Sequence, residues 1–117
     1  MKFLLLVYYD EKYLESLGKA EERRIESDSL KYTDQLQAEG KVLGGHRLQS
    51  VSTAVCVRTK ESRKFLTDGP FAETKEQLGG YTLIDVKGLD EAIEIARRME
   101  SGILGTVEIR PILEFGQ

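Results

Sequence analysis

Phe3-Leu4-Leu5-Leu6-Val7 is apolar at five successive positions. Side chains along a strand alternate between two faces, so a strand of this kind puts apolar groups on both. It belongs in the middle of a sheet with both faces covered. The run gives way to Tyr8-Tyr9-Asp10-Glu11, and no small-residue cleavage site follows. It is also too short to cross a bilayer. The sequence therefore predicts a central first strand over Lys2 to Tyr9 and a cytoplasmic protein, not a leader or a membrane span.

The remaining pattern alternates helix and strand. Asp10 to Leu17 reads as a loop with one helical turn. Lys19 to Glu39 has helical periodicity, with Ile25, Ser29, Tyr32 or Thr33, and Leu36 on one face, and Gly40 ends it. Lys41 to Gln49 suggests a second strand weakened by Gly44-Gly45. Thr53 to Arg58 alternates as a half-buried strand, and Lys64 to Thr67 returns as its hairpin partner across Lys60-Glu61-Ser62. Asp68-Gly69-Pro70-Phe71 is a tight bend. Thr74 to Gln77 has capping-box spacing and predicts a helical turn, stopped by Gly79-Gly80. Tyr81 to Val86 is a strand. A second long helix opens at Leu89, with Asp90 as N-cap and a buried stripe of Ala92, Ile93, Ala96 and Met99, and Gly102 closes it. Thr106 to Leu113 is the last strand, and Pro111 points to an edge or a bulge.

Without the hairpin, the order is β-α-β-β-α-β, an α+β ferredoxin-like arrangement with an inserted β-hairpin. Both helices would cover one face of an antiparallel sheet. A second copy, sheet on sheet, is the simplest cover for the other face and predicts a homodimer. At 117 residues the chain forms one domain, 1–117, with a modest core that gains by such pairing. Its net charge of −3 comes from interspersed charges with no basic stripe, which argues against direct nucleic-acid binding. Cys56 is the only cysteine, so neither an intrachain disulfide nor a cysteine-based zinc site can form. One histidine and scattered carboxylates give no metal-ligand spacing, and neither glycine pair has the spacing of a phosphate loop. No cofactor is expected.

Asp68 is the first candidate for chemistry. A carboxylate in a cleft can act as a general base or orient a hydroxyl, and an aspartate in an Asp-Gly-Pro turn can instead accept backbone N–H bonds. Gly69 and Pro70 shape the bend. Phe71 either walls a pocket or fills core. Glu73, Lys75 and Glu76 either grip a polar ligand beside Asp68 or form a solvated group of local ion pairs. His46 is the only side chain whose unperturbed pKa lies near neutrality, and the glycines before it allow close approach of a ligand or another backbone. Catalysis by His46 stands against an ordinary surface role. Cys56 reads as a packed small hydrophobe rather than a nucleophile. Tyr8, Tyr9, Tyr32 and Tyr81 are either pocket walls or core and interface packing.

Leu66-Thr67-Asp68-Gly69-Pro70-Phe71-Ala72-Glu73-Thr74-Lys75-Glu76-Gln77-Leu78-Gly79-Gly80-Tyr81 resembles the signature of the DGPF-domain branch of the YCII-related family. Met1 to Tyr8, Gly44 to Leu48, Leu89 to Ala92 and Val107 to Ile112 match in the same order. The resemblance implies a dimeric α/β barrel with clefts near the sheet interface. It implies a small-molecule ligand and, in some relatives, metal-free chemistry on chlorinated or aromatic-derived metabolites. The branch's frequent link with extracytoplasmic-function sigma factors implies a regulatory alternative. The wider family's proposed catalytic pair is a histidine on the first helix and an aspartate that Asp68 matches. Where the histidine would fall, this chain has Ser29-Leu30-Lys31-Tyr32-Thr33. The expectation is a cofactor-independent protein binding a small molecule in a dimer cleft, an isomerase- or lyase-like enzyme using Asp68. The alternative is a non-catalytic accessory regulator that binds a signal molecule or a sigma factor.

Overall fold

The computed structural model describes residues 1–99 and 104–115. Among the described residues, six strands and three α-helices follow one another: β1 (Lys2–Tyr9), α1 (Glu11–Ser16), α2 (Lys19–Ala38), β2 (Val42–Arg47), β3 (Val55–Lys60), β4 (Arg63–Asp68), β5 (Gln77–Asp85), α3 (Leu89–Arg98) and β6 (Gly105–Pro111). A 3₁₀ turn at Val51–Thr53 precedes β3. The main sheet has the order β2-β5-β1-β6, all pairs antiparallel. That is the ferredoxin-like order, with β1 central as its double-sided apolar run requires. β3 and β4 form a separate two-stranded sheet.

β1 assigns the two faces. Phe3, Leu5 and Val7 are buried, and they pack with Ile84, Val86, Leu36, Ala92 and Ile95 from β5, α2 and α3. Both long helices therefore cover one side. Leu4, Leu6 and Tyr8 point the other way, opposite Leu83, Tyr81 and Leu78 of β5 and Arg110, Glu108 and Thr106 of β6. The molecule is only 19 Å thick along its short axis, the depth of one sheet and one helix layer. No described helix is long and apolar enough to cross a membrane.

Local chemistry explains the boundaries. Asp10 caps α1, accepting from the backbone N–H groups of Lys12 and Tyr13 at 3.0 and 3.3 Å. Gly40, with φ +77°, follows the end of α2, where a left-handed residue is wanted. Pro111 closes the edge strand β6, as its missing N–H demands.

Several expectations are corrected. The capping-box turn does not form. Thr74 Oγ1 donates to the Glu76 carbonyl at 2.6 Å, and the Gln77 amide donates to the carbonyls of Ala72 and Thr74 at 3.0 and 2.8 Å. These bonds hold bent backbone, and Gln77 opens a strand. Gly79 and Gly80 lie inside β5 rather than stopping a helix. Gly79 is the extra residue of a bulge between the Val7–Gly80 and Tyr8–Leu78 pairs. Gly88, not Asp90, sits at the start of α3, whose buried stripe is Ala92, Ile95 and Ala96. Gly102 lies outside the described residues. The strand expected to be half-buried keeps its apolar face in solvent, with Val55 and Val57 61% and 65% exposed.

Candidate functional site

A cavity of about 420 Å³ lies between α2 and the main sheet, a size suited to a small organic ligand. Its apolar wall includes Val7, Leu14, Ile25, Val42 and Met99, and its polar positions include Tyr9, Glu26, Ser29, Thr33 and Arg47. Strand alternation explains the mixture. Val42 and Val7 face the helices as part of the sheet's apolar side, whereas Tyr9 and Arg47 lie on that same side near the strand ends.

Arg47 bonds to the Glu26 carboxylate of α2. Burial works against the guanidinium charge, but hydrogen bonds from this cation to Tyr9 and Glu26 outweigh it and raise the Arg47 pKa. The cation is thus held in the cavity wall beside a carboxylate and a phenol. Gly79 makes room for the phenol. A Cβ there would lie 2.2 Å from Cε1 of Tyr9, inside the ring's own volume. Gly45, also in the wall, has equally little room, since its Cβ would come within 2.6 Å of the Tyr81 carbonyl oxygen.

The expected site residues fall into two groups. His46 and Tyr81 come together: His46 Nδ1 and the Tyr81 hydroxyl are 2.9 Å apart, with ring centroids at 5.8 Å. Both residues line the cavity. They pair across β2 and β5 in register with Leu6, so their side chains project to the helix-free face while Arg47 projects to the other. Tyr8 shares the helix-free face and donates to Glu108 at 3.1 Å. Burial, then the bond and charge of Glu108, raise the Tyr8 pKa. Glu76 reaches the same corner, accepting from Thr106 Oγ1 at 2.8 Å.

Asp68, Gly69, Pro70 and Phe71 are elsewhere, at the base of the β3–β4 hairpin and outside the cavity wall. Asp68 is exposed. Gly69 has φ +97°, which requires glycine at the bend, and its N–H donates to the Ala54 carbonyl at 2.7 Å. Phe71 is 82% exposed beneath the Arg58 guanidinium, 5.7 Å from the ring centroid. Glu73 and Lys75 are exposed. Cys56 is half-buried and donates to the Gly69 carbonyl at 3.3 Å. Among the described residues, no cluster of histidine, cysteine, aspartate or glutamate could hold a metal ion.

Sequence reasoning did not select Arg47, Glu26, Ser29 or Thr33 as site residues. Glu26 and Arg47 are separated by 21 positions and meet only through the fold. Ser29 and Thr33 bracket the segment where the family resemblance places a histidine, and both line the cavity. That coincidence was the available signal.

Comparison with known proteins agrees with this architecture. The chain is 35% identical over 114 residues to an uncharacterized protein of Rhizobium meliloti (strain 1021), covering 96% of this chain and 92% of that protein. It shares its fold with 5-chloro-2-hydroxyhydroquinone dehydrochlorinase (TftG) from Burkholderia phenoliruptrix AC1100, solved in complex with 2,5-dihydroxybenzoquinone. The TM-score is 0.59 at 14% identity, over 97% of this chain and 95% of that one. The YCII-related domain matches residues 1–116. The chain therefore belongs to the YCII-related family.

Proposed function

We propose that the protein binds a small organic molecule in the cavity between α2 and the sheet. The carrying observation is the composition of that cavity: an apolar chamber with Arg47, Glu26 and Tyr9 fixed at one end and Ser29 and Thr33 in the wall. An apolar body enters the chamber and a polar substituent meets the guanidinium, whose planar donors suit oxygen acceptors. The structurally similar dehydrochlorinase acts on a small hydroxylated ring, which supports an isomerase- or lyase-like reaction on a small molecule here.

The homodimer belongs to the same proposal. Leu4, Leu6 and Leu83 form an apolar row on a sheet face that no described helix covers, and a second sheet packed on it would build the dimeric barrel. Asp68 remains the proposed acid or base of the DGPF branch. In one protomer it stands outside the cavity wall, so its role requires the partner to close the site.

A thermal-shift screen of pooled metabolites against the wild type and Thr33→Trp tests the cavity. A ligand at a hundred times its dissociation constant adds about 2.7 kcal/mol to the stability of the wild type, and the indole occupying the chamber removes the shift. Equal shifts in both proteins would place binding elsewhere. For any ligand found, Asp68→Asn is expected to retain binding and lose turnover. The accessory-regulator reading draws on the absence of an imidazole from Ser29 to Thr33 in the wall. It predicts binding of the signal molecule with no turnover by either protein.

A further inference from the structure

Nine of the twenty residues of α2 are charged. Of these nine, Glu26 alone lines the cavity, and the helix otherwise presents Ile25, Ser29, Leu30, Thr33 and Gln37 to it. Across all the described lining residues, with His46 neutral, the charged side chains are Glu26 and Arg47. These two are bonded to each other. The described lining therefore carries no net charge. Both side chains are half-exposed, so a ligand can reach the pair.

The donors left over define what the pair can hold. Arg47 donates to Glu26 and bonds to the Tyr9 phenol. A guanidinium has five N–H donors, so some remain. A phenol oxygen that accepts from the cation keeps its own proton to donate. An oxygen acceptor set between Arg47 and Tyr9 can take a bond from each. Farther along α2, Ser29 and Thr33 lie about 6 Å apart by helix rise. Both are half-buried in the wall, and neither side chain bonds to another described residue.

A carboxylate gains little from this arrangement. If it joins the pair, it stands beside the Glu26 carboxylate and is repelled. If it displaces Glu26, one carboxylate–guanidinium contact replaces another, and the ligand gives up its hydration for an apolar chamber. A carbonyl or hydroxyl oxygen needs no counter-charge and loses less hydration.

We propose that Glu26 determines specificity: by neutralising Arg47 it makes the cavity accept uncharged, oxygen-bearing molecules and reject carboxylates of the same shape. The favoured ligand has an apolar body and a carbonyl or hydroxyl oxygen between Arg47 and Tyr9. A second uncharged polar group meets Ser29 or Thr33. This inference rests on the cavity reading above and narrows it to a ligand class.

Ligand-observed NMR titrations at neutral pH test this, with matched pairs of aryl carboxamides and aryl carboxylates such as cinnamamide and cinnamate. Wild type is expected to bind the amide roughly tenfold more tightly than the carboxylate. Glu26→Gln keeps the side-chain shape and frees the Arg47 charge. Its carboxylate affinity is expected to rise roughly tenfold while its amide affinity stays near that of wild type. Glu26→Ala is expected to shift the preference the same way, so the result does not depend on one variant folding. The cost of moving a carboxylate out of water is common to all three proteins, so a change in preference reads the Glu26 charge. A wild type that binds the carboxylate as tightly as its amide would overturn the filter and leave the cavity standing. A preference unchanged in both Glu26 variants would do the same. Binding of neither member of any pair by wild type, or binding that Thr33→Trp leaves intact, would overturn the cavity reading and the filter with it.

Discussion

The main sheet and the β3–β4 hairpin are both antiparallel and carry similar residue types, yet they differ in what holds them. In the sheet, Phe3, Leu5 and Ile84 are 1%, 0% and 0% exposed beneath two helices. In the hairpin, Val57 and Leu66 face solvent and the turn itself is strained. Glu61 and Ser62 have φ of 51° and 67°, the conformation of a primed turn that Asn-Gly fills at lower cost. A strand's alternation records that one face is apolar. It does not record whether the cover comes from the same chain.

Substitutions should separate the two regions. Leu5→Ala, at the centre of the helix-covered face, is expected to cost about 2–5 kcal/mol in denaturant unfolding. Gly79→Ala forces a methyl group into the Tyr9 ring and is expected to cost about 1–3 kcal/mol. It should also weaken any ligand held beside Arg47, which a titration would read. Replacing the hairpin turn by Glu61→Asn with Ser62→Gly relieves roughly 1 kcal/mol of backbone strain. That gain should appear as slower amide exchange in β3 and β4 and leave the exchange of β1 unchanged. Val57→Ser, measured where the protein is monomeric, is expected to change stability by less than about 0.5 kcal/mol. A loss as large as that of Leu5→Ala would abolish the distinction.

The smallest effect is a pH dependence on the helix-free face. The folded Tyr8 pKa is raised by burial and by Glu108. The protonated phenol is therefore favoured by folding. Its contribution is complete below the ordinary tyrosine value of about 10 and is lost as pH rises through the folded value. Tyr8→Phe should flatten that alkaline decline in chemical denaturation.

The fold was largely legible because its signals are local. The double-sided run of β1, the periodicity of α2 and the glycine after it each state their own structure. Thr74 to Gln77 misled because the same side chains that cap a helix also bond the carbonyls of a bend. The two glycines of β5 resembled a helix stop, since nothing in the sequence shows that the Tyr9 ring occupies the space over Gly79. The candidate site was less legible. Its polar end joins Tyr9, Glu26 and Arg47 from three elements, and only the alternation that separates Arg47 from His46 hinted at which side each would serve. The motif around Asp68 drew attention to the hairpin base, while the cavity lies between α2 and the sheet.

Hydrogen exchange of the paired amides in β1, β2 and β3–β4, at low and high protein concentration, tests the division between these regions most directly. The account predicts that β1 stays protected at both concentrations, while the hairpin of the dilute protein exchanges by local opening. Hairpin protection equal to that of β1 in the dilute monomer would contradict it.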